Sequence, residues 1–114
     1  MKSHKDLKVW QESMDLVIDV YNQTASFPKE EMFSLTSQIK RSSLSIPSNI
    51  AEGAGRNGNA EFRRFLYIAL GSASELETQI EIAYRLKFIK DINHLESRIR
   101  FIKSMLSKLI KSLE

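Results

Sequence analysis

The sequence predicts an all-α protein, an antiparallel up-down four-helix bundle made by one domain over residues 1–114. Apolar residues recur every three or four positions through four long segments, which is the period of an amphipathic helix. Proline or glycine marks two of the three breaks, and no segment alternates apolar and polar residues as a half-buried strand does. The predicted helices cover about residues 7–25, 35–54, 59–87 and 94–113.

The first helix has two apolar strips, and the larger one is predicted to face the core. The members of this predicted core strip are Leu7, Trp10, Met14, Val17, Ile18 and Tyr21. Val9, Leu16 and Val20 form a second strip, roughly opposite, which a lone bundle does not explain. Pro28 ends the helix, because the residue before a proline is biased out of the α region.

The second helix begins after Ser34, which is predicted to be its N-cap. Its core strip is Leu35, Ile39, Ser43, Ile46 and Ile50. Pro47 lies within this pattern, and because the apolar phase continues across it we predict one kinked helix rather than two. Gly53 or Gly55 is then predicted to end the helix in a left-handed conformation, and Gly58 to shape entry to the next helix.

The third and fourth helices have the most regular apolar strips. That of the third helix is Phe62, Phe65, Leu66, Ala69, Ala73, Leu76, Ile80, Ala83 and Tyr84. Asn93 and Glu96 are spaced as a capping box at the start of the fourth helix. The core strip of that helix is Leu95, Ile99, Ile102, Leu106, Leu109, Ile110 and Leu113.

Surplus uncharged surface favours a homo-oligomer. The second helix has few charges and many hydroxyl groups, so both of its sides are expected to be covered, and Phe101 lies off the core strip of the fourth helix. Polar edges on the second and third helices predict a partly buried hydrogen-bonded network that sets the register of helices or subunits, beside Gly71, which would permit close helix approach. Its members are Gln38, Arg41, Ser45, Asn49, Glu52, Arg56, Ser72, Glu75 and Gln79. The alternative is an exposed polar edge with ordinary pairs inside each helix.

The residues that carry enzymatic chemistry are absent or isolated. The chain has no cysteine, and His4 and His94 have no second ligand at metal-binding spacing, so both are predicted to be surface residues. Gly53, Gly55 and Gly58 match the dinucleotide fingerprint but follow a helix, where that fingerprint follows a strand. An alternative role for this loop is to hold a backbone phosphate. We predict no catalytic residue, no metal, no cofactor and no enzymatic activity.

Positive charge is concentrated towards the carboxy terminus. The net charge is +3, and residues 85–114 carry eight Lys/Arg against three Asp/Glu. The alternatives are a polyanion-binding surface and an ordinary solvated helix face. The candidate nucleic-acid contacts are Arg63, Arg64, Arg85, Lys87, Lys90, Arg98, Arg100, Lys103, Lys108 and Lys111. No apolar run is long enough to span a membrane and no apolar signal core precedes Leu7, which predicts a cytoplasmic protein with no membrane partner.

Four segments carry a family resemblance that extends over nearly the whole chain. The most specific is QIKRSSLSIPSNIAEG at residues 38–53, followed by Arg56. The others are LKVWQ at 7–11, FPKE at 27–30 and FLYIALGSASELE at 65–77. Together they resemble the four-helix-bundle proteins encoded in intervening sequences of large-subunit (23S) ribosomal RNA genes. Lys40 and Ser42 depart from the arginine and alanine expected there.

The resemblance implies a bacterial protein that assembles as a barrel-shaped homopentamer. It also implies kinship with the accessory subunits of diversity-generating retroelements, which bind nucleic acid and engage a reverse transcriptase. The predicted function is that of a non-enzymatic, oligomeric accessory protein associated with structured RNA, DNA or a ribonucleoprotein. The alternative is a scaffold that docks a partner protein without touching nucleic acid. Only the nucleic-acid binder should lose affinity steeply as salt rises.

Overall fold

The computed structural model describes residues 3–114, and the first two residues of the predicted domain lie outside them. Its α-helices are α1 (Lys8–Thr24), α2 (Leu35–Ala54), α3 (Asn59–Arg85) and α4 (Asn93–Ser112). Short 3-10 turns at His4–Asp6 and Lys29–Glu31 precede α1 and α2, and residues 3–114 contain no strand. The predicted all-α class with four helices is therefore confirmed.

Each helix packs against its neighbours along the chain, and α4 closes the bundle by returning to α1. The contact between α2 and α3 is the most extensive, and no Cα atoms of diagonally placed helices come within 8 Å of each other in the described residues. This arrangement, which is consistent with an up-down bundle, is 43 Å long and 24 × 19 Å across. Large aliphatic side chains from all four helices are fully buried along its axis, among them Leu16, Ile46, Leu76 and Ile102.

The predicted core strip of α1 is only half right: Val17 is buried and Leu7 and Trp10 pack against the core, but the other three members are exposed. The buried residues are Val9, Ser13, Leu16, Val17, Val20 and Thr24. Met14, Ile18 and Tyr21, which were expected in the core, are exposed, with Ile18 at 59%. The true strip is offset from the predicted one by about one residue, or roughly 100° around the helix. The strip expected to be surplus therefore faces the core, and half of the predicted core strip faces solvent.

Two buried hydroxyl residues explain why the sequence pattern of α1 was misleading. Ser13 Oγ donates to the carbonyl of Val9 at 2.6 Å, and Thr24 Oγ1 donates to that of Val20 at 2.9 Å. Each hydroxyl finds its partner one turn back in the same helix, so it can be buried without leaving a polar group unsatisfied. In the sequence these positions count as polar and make the real core strip look weaker than the exposed one.

Helix α2 continues through Pro47, as one helix rather than two, and the expected Ile39, Ser43, Ile46 and Ile50 are buried. Its N-cap is Ser34, as predicted, but the side chain makes no capping bond and instead donates to the Glu31 carboxylate at 2.9 Å.

The predicted capping box of α4 is wrong. Its N-cap is Ile92, and the Asp91 carboxylate accepts the hydrogen bond from the amide of Asn93 at 2.9 Å.

The glycines act differently from the prediction. Gly55 caps α2 with φ −85°, so neither it nor Gly53 supplies a left-handed helix end, whereas Gly58 has φ +94° and shapes the entry to α3 as expected. Gly53 allows α2 and α3 to approach, because a Cβ there would lie 2.7 Å from Phe65 Cβ. Gly71, expected to permit such an approach, has nothing within 4 Å of its Cβ position.

The helix that ends in a left-handed conformation is α3. The residue in that conformation is Lys87, which lies two positions after the end of the helix and has φ +68°. The amide of Phe88 donates to the Ala83 carbonyl and that of Lys87 to the Tyr84 carbonyl, each at 2.9 Å. This pair of bonds is the Schellman motif, in which the left-handed position is usually glycine.

Replacing Lys87 by glycine should therefore stabilise the protein. We expect the free energy of unfolding to rise by about 1 kcal/mol, because a side chain in the left-handed region is sterically unfavourable. The measurement is urea unfolding followed by circular dichroism. Lys90→Gly is the matched control: it removes the same charge where φ is not positive, so it should bring no gain. A gain from Lys90→Gly as large as that from Lys87→Gly would show that lost charge, not relieved backbone strain, stabilises the chain.

Candidate nucleic-acid interface

Half of the ten predicted nucleic-acid contacts already have a partner within the chain. Lys103 Nζ pairs with Glu77 Oε1 at 3.1 Å, Arg85 Nε with Glu81 Oε2 at 2.9 Å, and Arg64 Nε with Glu61 Oε2 at 3.0 Å. Arg63 donates to the main-chain carbonyl of Leu113, which ties α3 to the end of α4. These residues are weaker candidates, since a phosphate would have to displace an existing partner.

The fifth paired residue, Arg98, holds α4 against α1. Its side chain is 24% exposed, and its Nε lies 3.2 Å from Asp19 Oδ2. Its Nη1 is 3.6 Å from Glu12 Oε2 and 3.8 Å from Asp15 Oδ2. Three carboxylates around one guanidinium compensate its charge locally. Arg98 therefore orients α1 in the bundle and is a weaker candidate for a nucleic-acid contact.

The two histidines occupy different environments. His94 is exposed, as predicted, and its Nε2 lies 3.1 Å from Asp19 Oδ2. His4, expected at the surface, is only partly exposed, because its ring packs edge-on against Trp10 with centroids 5.1 Å apart. Within residues 3–114 no three His, Asp or Glu side chains come together as a metal site would require.

The side chains of Arg64 and Arg56 both lie against the aromatic ring of Phe65. Their guanidinium carbons lie 4.4 Å and 5.1 Å from the centre of the Phe65 ring, where cation–π attraction holds them. The hydrogen bond from Arg64 lowers the pKa of the Glu61 carboxyl below its ordinary value. Both arginines are therefore already held by contacts within the chain near the α2–α3 connection.

Five of the predicted cations make no ion pair within the described residues, and they form two groups. Lys87 and Lys90 lie at the α3–α4 connection. Arg100, Lys108 and Lys111 are exposed on the side of α4 opposite its buried Leu95, Ile99, Ile102, Leu106 and Ile110. We call these last three cations, together with Ser104 between them, the α4 outer face. They extend over three helical turns, about 16 Å.

Hydroxyl and amide side chains join α2 to α3. The Ser45 and Ser72 hydroxyls are 2.7 Å apart, and Asn49 Nδ2 donates to the Ser45 carbonyl and hydroxyl at 2.8 and 2.9 Å. Ser42 Oγ donates to Glu75 Oε1 at 3.0 Å. The structure therefore brings four of the predicted network residues together. Ser42 was not among the predicted network residues. It is almost completely buried, and its hydroxyl reaches the Glu75 carboxylate.

The remaining predicted network residues lie outside that cluster. Gln38 and Arg41 are exposed, and Glu52 pairs with Arg56 at 3.2 Å on the surface, as in the alternative of ordinary intrahelical pairs. The Oε1 of Gln79 is buried without a hydrogen-bond partner in the described residues. The network is thus shorter than predicted and is centred on Ser45.

The fold and these surfaces define a helical-bundle protein with a serine-rich second helix fastened to the third and a basic outer face on the fourth. The chain belongs to the 23S rRNA-intervening sequence protein family, whose model matches residues 5–108. A similar solved structure is that of a protein of unknown function from the S23 ribosomal protein family of Bacteroides thetaiotaomicron. It is 27% identical, covers 90% of this chain and 95% of its own, and superposes with a TM-score of 0.83. A comparison with curated proteins found no match.

Among the described residues, no helix is both long enough and apolar enough to cross a lipid bilayer.

Proposed function

We propose that this protein is a non-enzymatic accessory protein that associates with RNA or a ribonucleoprotein through the α4 outer face. The observation that carries the proposal is that Arg100, Lys108 and Lys111 lie together on one exposed side of α4 with no carboxylate partner in the described chain. Cations without an internal partner are free to replace the counterions of a phosphate backbone.

The distribution of carboxylates supports this assignment. The net charge of the chain is only +3, but Glu12, Asp15 and Asp19 of α1 surround Arg98, Glu77 of α3 pairs with Lys103, and Glu81 pairs with Arg85 within α3. None of these five carboxylates pairs with a cation of the α4 outer face. The field beyond the α4 outer face is more positive than the net charge indicates, which attracts polyanions.

We expect the triple substitution of Arg100, Lys108 and Lys111 by glutamine to weaken RNA binding. Three lost phosphate contacts should reduce the slope of log affinity against log salt by about two units for a single strand. Fluorescence anisotropy of labelled RNA over a salt series measures both quantities. Lys5, Lys29 and Arg41, all exposed, provide the matched control when changed to glutamine, since the net charge falls equally. Equal losses for both triples would mean that net charge, not this face, determines binding.

We further propose that the chain forms a closed homo-oligomer, a pentamer if it follows the family it resembles. Two exposed apolar patches support this. One, on α1 and α2, contains Met14, Ile18, Tyr21 and Leu44, and the other consists of Ile68 and Ile82 on one side of α3 and Leu86 at its C-cap. A cavity of about 290 Å³ lies along the α1–α2 seam of the first patch. Two different patches on one chain favour head-to-tail contacts, which close into a ring when the rotation between neighbouring subunits permits it. A ring would repeat a weak basic face and raise its avidity.

Placing charge in the first patch should separate the subunits. We expect Ile18→Glu combined with Leu44→Glu to give a monomer in sedimentation equilibrium while the helical content is retained, since neither side chain is buried in the chain. Ser107→Glu, exposed on α4, adds charge elsewhere and should leave assembly unchanged. A wild-type protein that is already monomeric at micromolar concentration would refute the proposal.

A second candidate function is a scaffold that docks a partner protein. It is favoured by Phe33, which is 92% exposed beside the exposed Met32 in the α1–α2 connection. If the resemblance to retroelement accessory subunits extends to partners, that protein would be a reverse transcriptase. Binding of such a partner should change little with salt, in contrast to nucleic-acid binding.

A further inference from the structure

A cavity at the connection between α3 and α4 combines an aromatic ring with several cations. Its volume is about 540 Å³, which is within the range of small-ligand sites. It is lined by Tyr84, Arg85, Lys87, Ile89 and Lys90, with no carboxylate among them. It lies at one end of the bundle and shares no residue with the α4 outer face.

The charge of this cavity comes from its two lysines. Arg85 is compensated by Glu81 at 2.9 Å, whereas Lys87 and Lys90 have no ion pair in the described part of the chain. Asp91 follows Lys90 directly, but its Oδ1 accepts the hydrogen bond from the Asn93 amide at the start of α4. Two exposed ammonium groups therefore border the cavity, where they can neutralise phosphates.

Tyr84 presents an aromatic surface at the same place. The tyrosine is 42% exposed, although the neighbouring Ala83 is completely buried, and Ile89 is buried and contributes an apolar wall. An exposed aromatic ring beside cations is the arrangement by which proteins stack unpaired bases while holding their phosphates. A base inside a duplex is stacked on its neighbours and cannot use such a ring.

The backbone of Lys87 is an independent observation. Its φ of +68° places a lysine where glycine would be less strained, and the helix end itself requires no side chain there. Strained residues that persist often have a functional role. Here the residue that replaces the favoured glycine supplies one of the two uncompensated charges of the cavity.

We propose that this cavity binds one unpaired nucleotide of a single-stranded nucleic acid, with its base against Tyr84 and the adjoining phosphates at Lys87 and Lys90. The inference rests on the proposed association with nucleic acid and adds to it a second contact and a preference for unpaired strands. The groups recognised, a base face and phosphates, are shared by RNA and DNA.

The principal test compares Tyr84→Leu with the wild-type chain. Binding is measured by anisotropy with oligouridine, with oligothymidine, and with a blunt-ended RNA duplex that has the same number of phosphates and no unpaired base. We expect Tyr84→Leu to weaken binding of whichever single strand binds more tightly by about 10-fold and to leave duplex binding unchanged. Comparing the two strands identifies the ligand as RNA or DNA. Tyr84→Phe keeps the ring and should bind as the wild type does.

Two further variants separate binding from folding. Tyr67→Leu removes an exposed tyrosine of the same helix that does not line the cavity, so it should have no effect. Lys87→Gly should weaken single-strand binding and reduce its salt slope by about 0.7 while it raises thermal stability. A misfolded variant cannot combine weaker binding with greater stability.

The possible failures are distinct. Equal effects of Tyr84→Leu on single strands and on the duplex, or no effect on either, would reject the cavity as a nucleotide site. If the cavity is rejected in this way but the α4 triple variant binds RNA more weakly than the wild type, the proposed function still stands. Loss of single-strand binding in Tyr84→Leu with no effect of the α4 triple would instead support the cavity and reject the α4 outer face. A wild-type chain that binds none of the probes would overturn both proposals.

Discussion

Gly53→Val should lower the free energy of unfolding by about 3 kcal/mol, since overpacking a close contact forces backbone movement. Gly53 is buried where α2 crosses α3. A Cβ at this position would lie 2.7 Å from Phe65 Cβ, 3.1 Å from Phe62 Cδ1 and 3.2 Å from the Phe62 carbonyl oxygen. A Cβ and a main-chain carbonyl cannot swing aside as a flexible side-chain end does. The two helices would have to separate, and this is the most extensive helix contact in the bundle.

Gly71→Ala is the natural control for that experiment. Gly71 lies in the interior of α3, and its Cβ position has no neighbour within 4 Å in the described residues. Alanine should therefore stabilise the protein by up to about 1 kcal/mol through its higher helix propensity. Chemical unfolding monitored by circular dichroism measures both variants. A stabilising effect of Gly53→Val, or an equal loss in both, would show that α2 and α3 are not held together at Gly53.

Leu16→Ala should cost about 3 kcal/mol of unfolding free energy, whereas Ile18→Ala should cost less than about 0.5 kcal/mol in the isolated chain. Leu16 is 0% exposed in the core, while Ile18, two positions later, is 59% exposed. Removing the methyl groups of Leu16 leaves a cavity in the bundle, and removing those of Ile18 leaves none. The comparison decides directly which strip of α1 faces the other helices.

Protein concentration provides the control, because Ile18 lies in the proposed subunit interface. The cost of Leu16→Ala should be the same at every concentration, since its contacts are within one chain. The cost of Ile18→Ala should be smallest at the lowest concentration and should rise only as subunits associate. If Ile18→Ala remained the more damaging change in dilute solution, the strip predicted from the sequence pattern would be the true core strip.

The candidate site shows the limit of prediction from charge alone. All ten basic residues look equivalent in the sequence, yet Arg98 is enclosed by Glu12, Asp15 and Asp19, and Lys103 is paired with Glu77. Most of these partners are distant in sequence and come together only because α1 and α3 flank α4. The ion pairs within one helix, such as Arg85 with Glu81, follow from their spacing and could have been found in the sequence.

Local chemistry explains the other differences between prediction and structure. The left-handed end at Lys87 has no sequence signal, because the motif normally carries glycine. The capping of α4 by Asp91 was missed because Asn93 and Glu96 match the spacing of a capping box more closely. Ser13 and Thr24 were placed outside the core because their hydroxyls, which bond to carbonyls one turn back, count as polar in any periodic pattern.

The fold class, the four helices with their approximate ends, and the family could all be predicted from the sequence. These properties depend on residues close in the chain, because helical periodicity, Pro28, Pro47 and the glycine-rich connection act locally. In contrast, the packed helices were needed to show which strip of α1 is buried, which cations have partners, and that Gly53 rather than Gly71 lets two helices approach. Each of those outcomes depends on what a neighbouring helix presents at the contact, and that is set by packing between segments far apart in the chain.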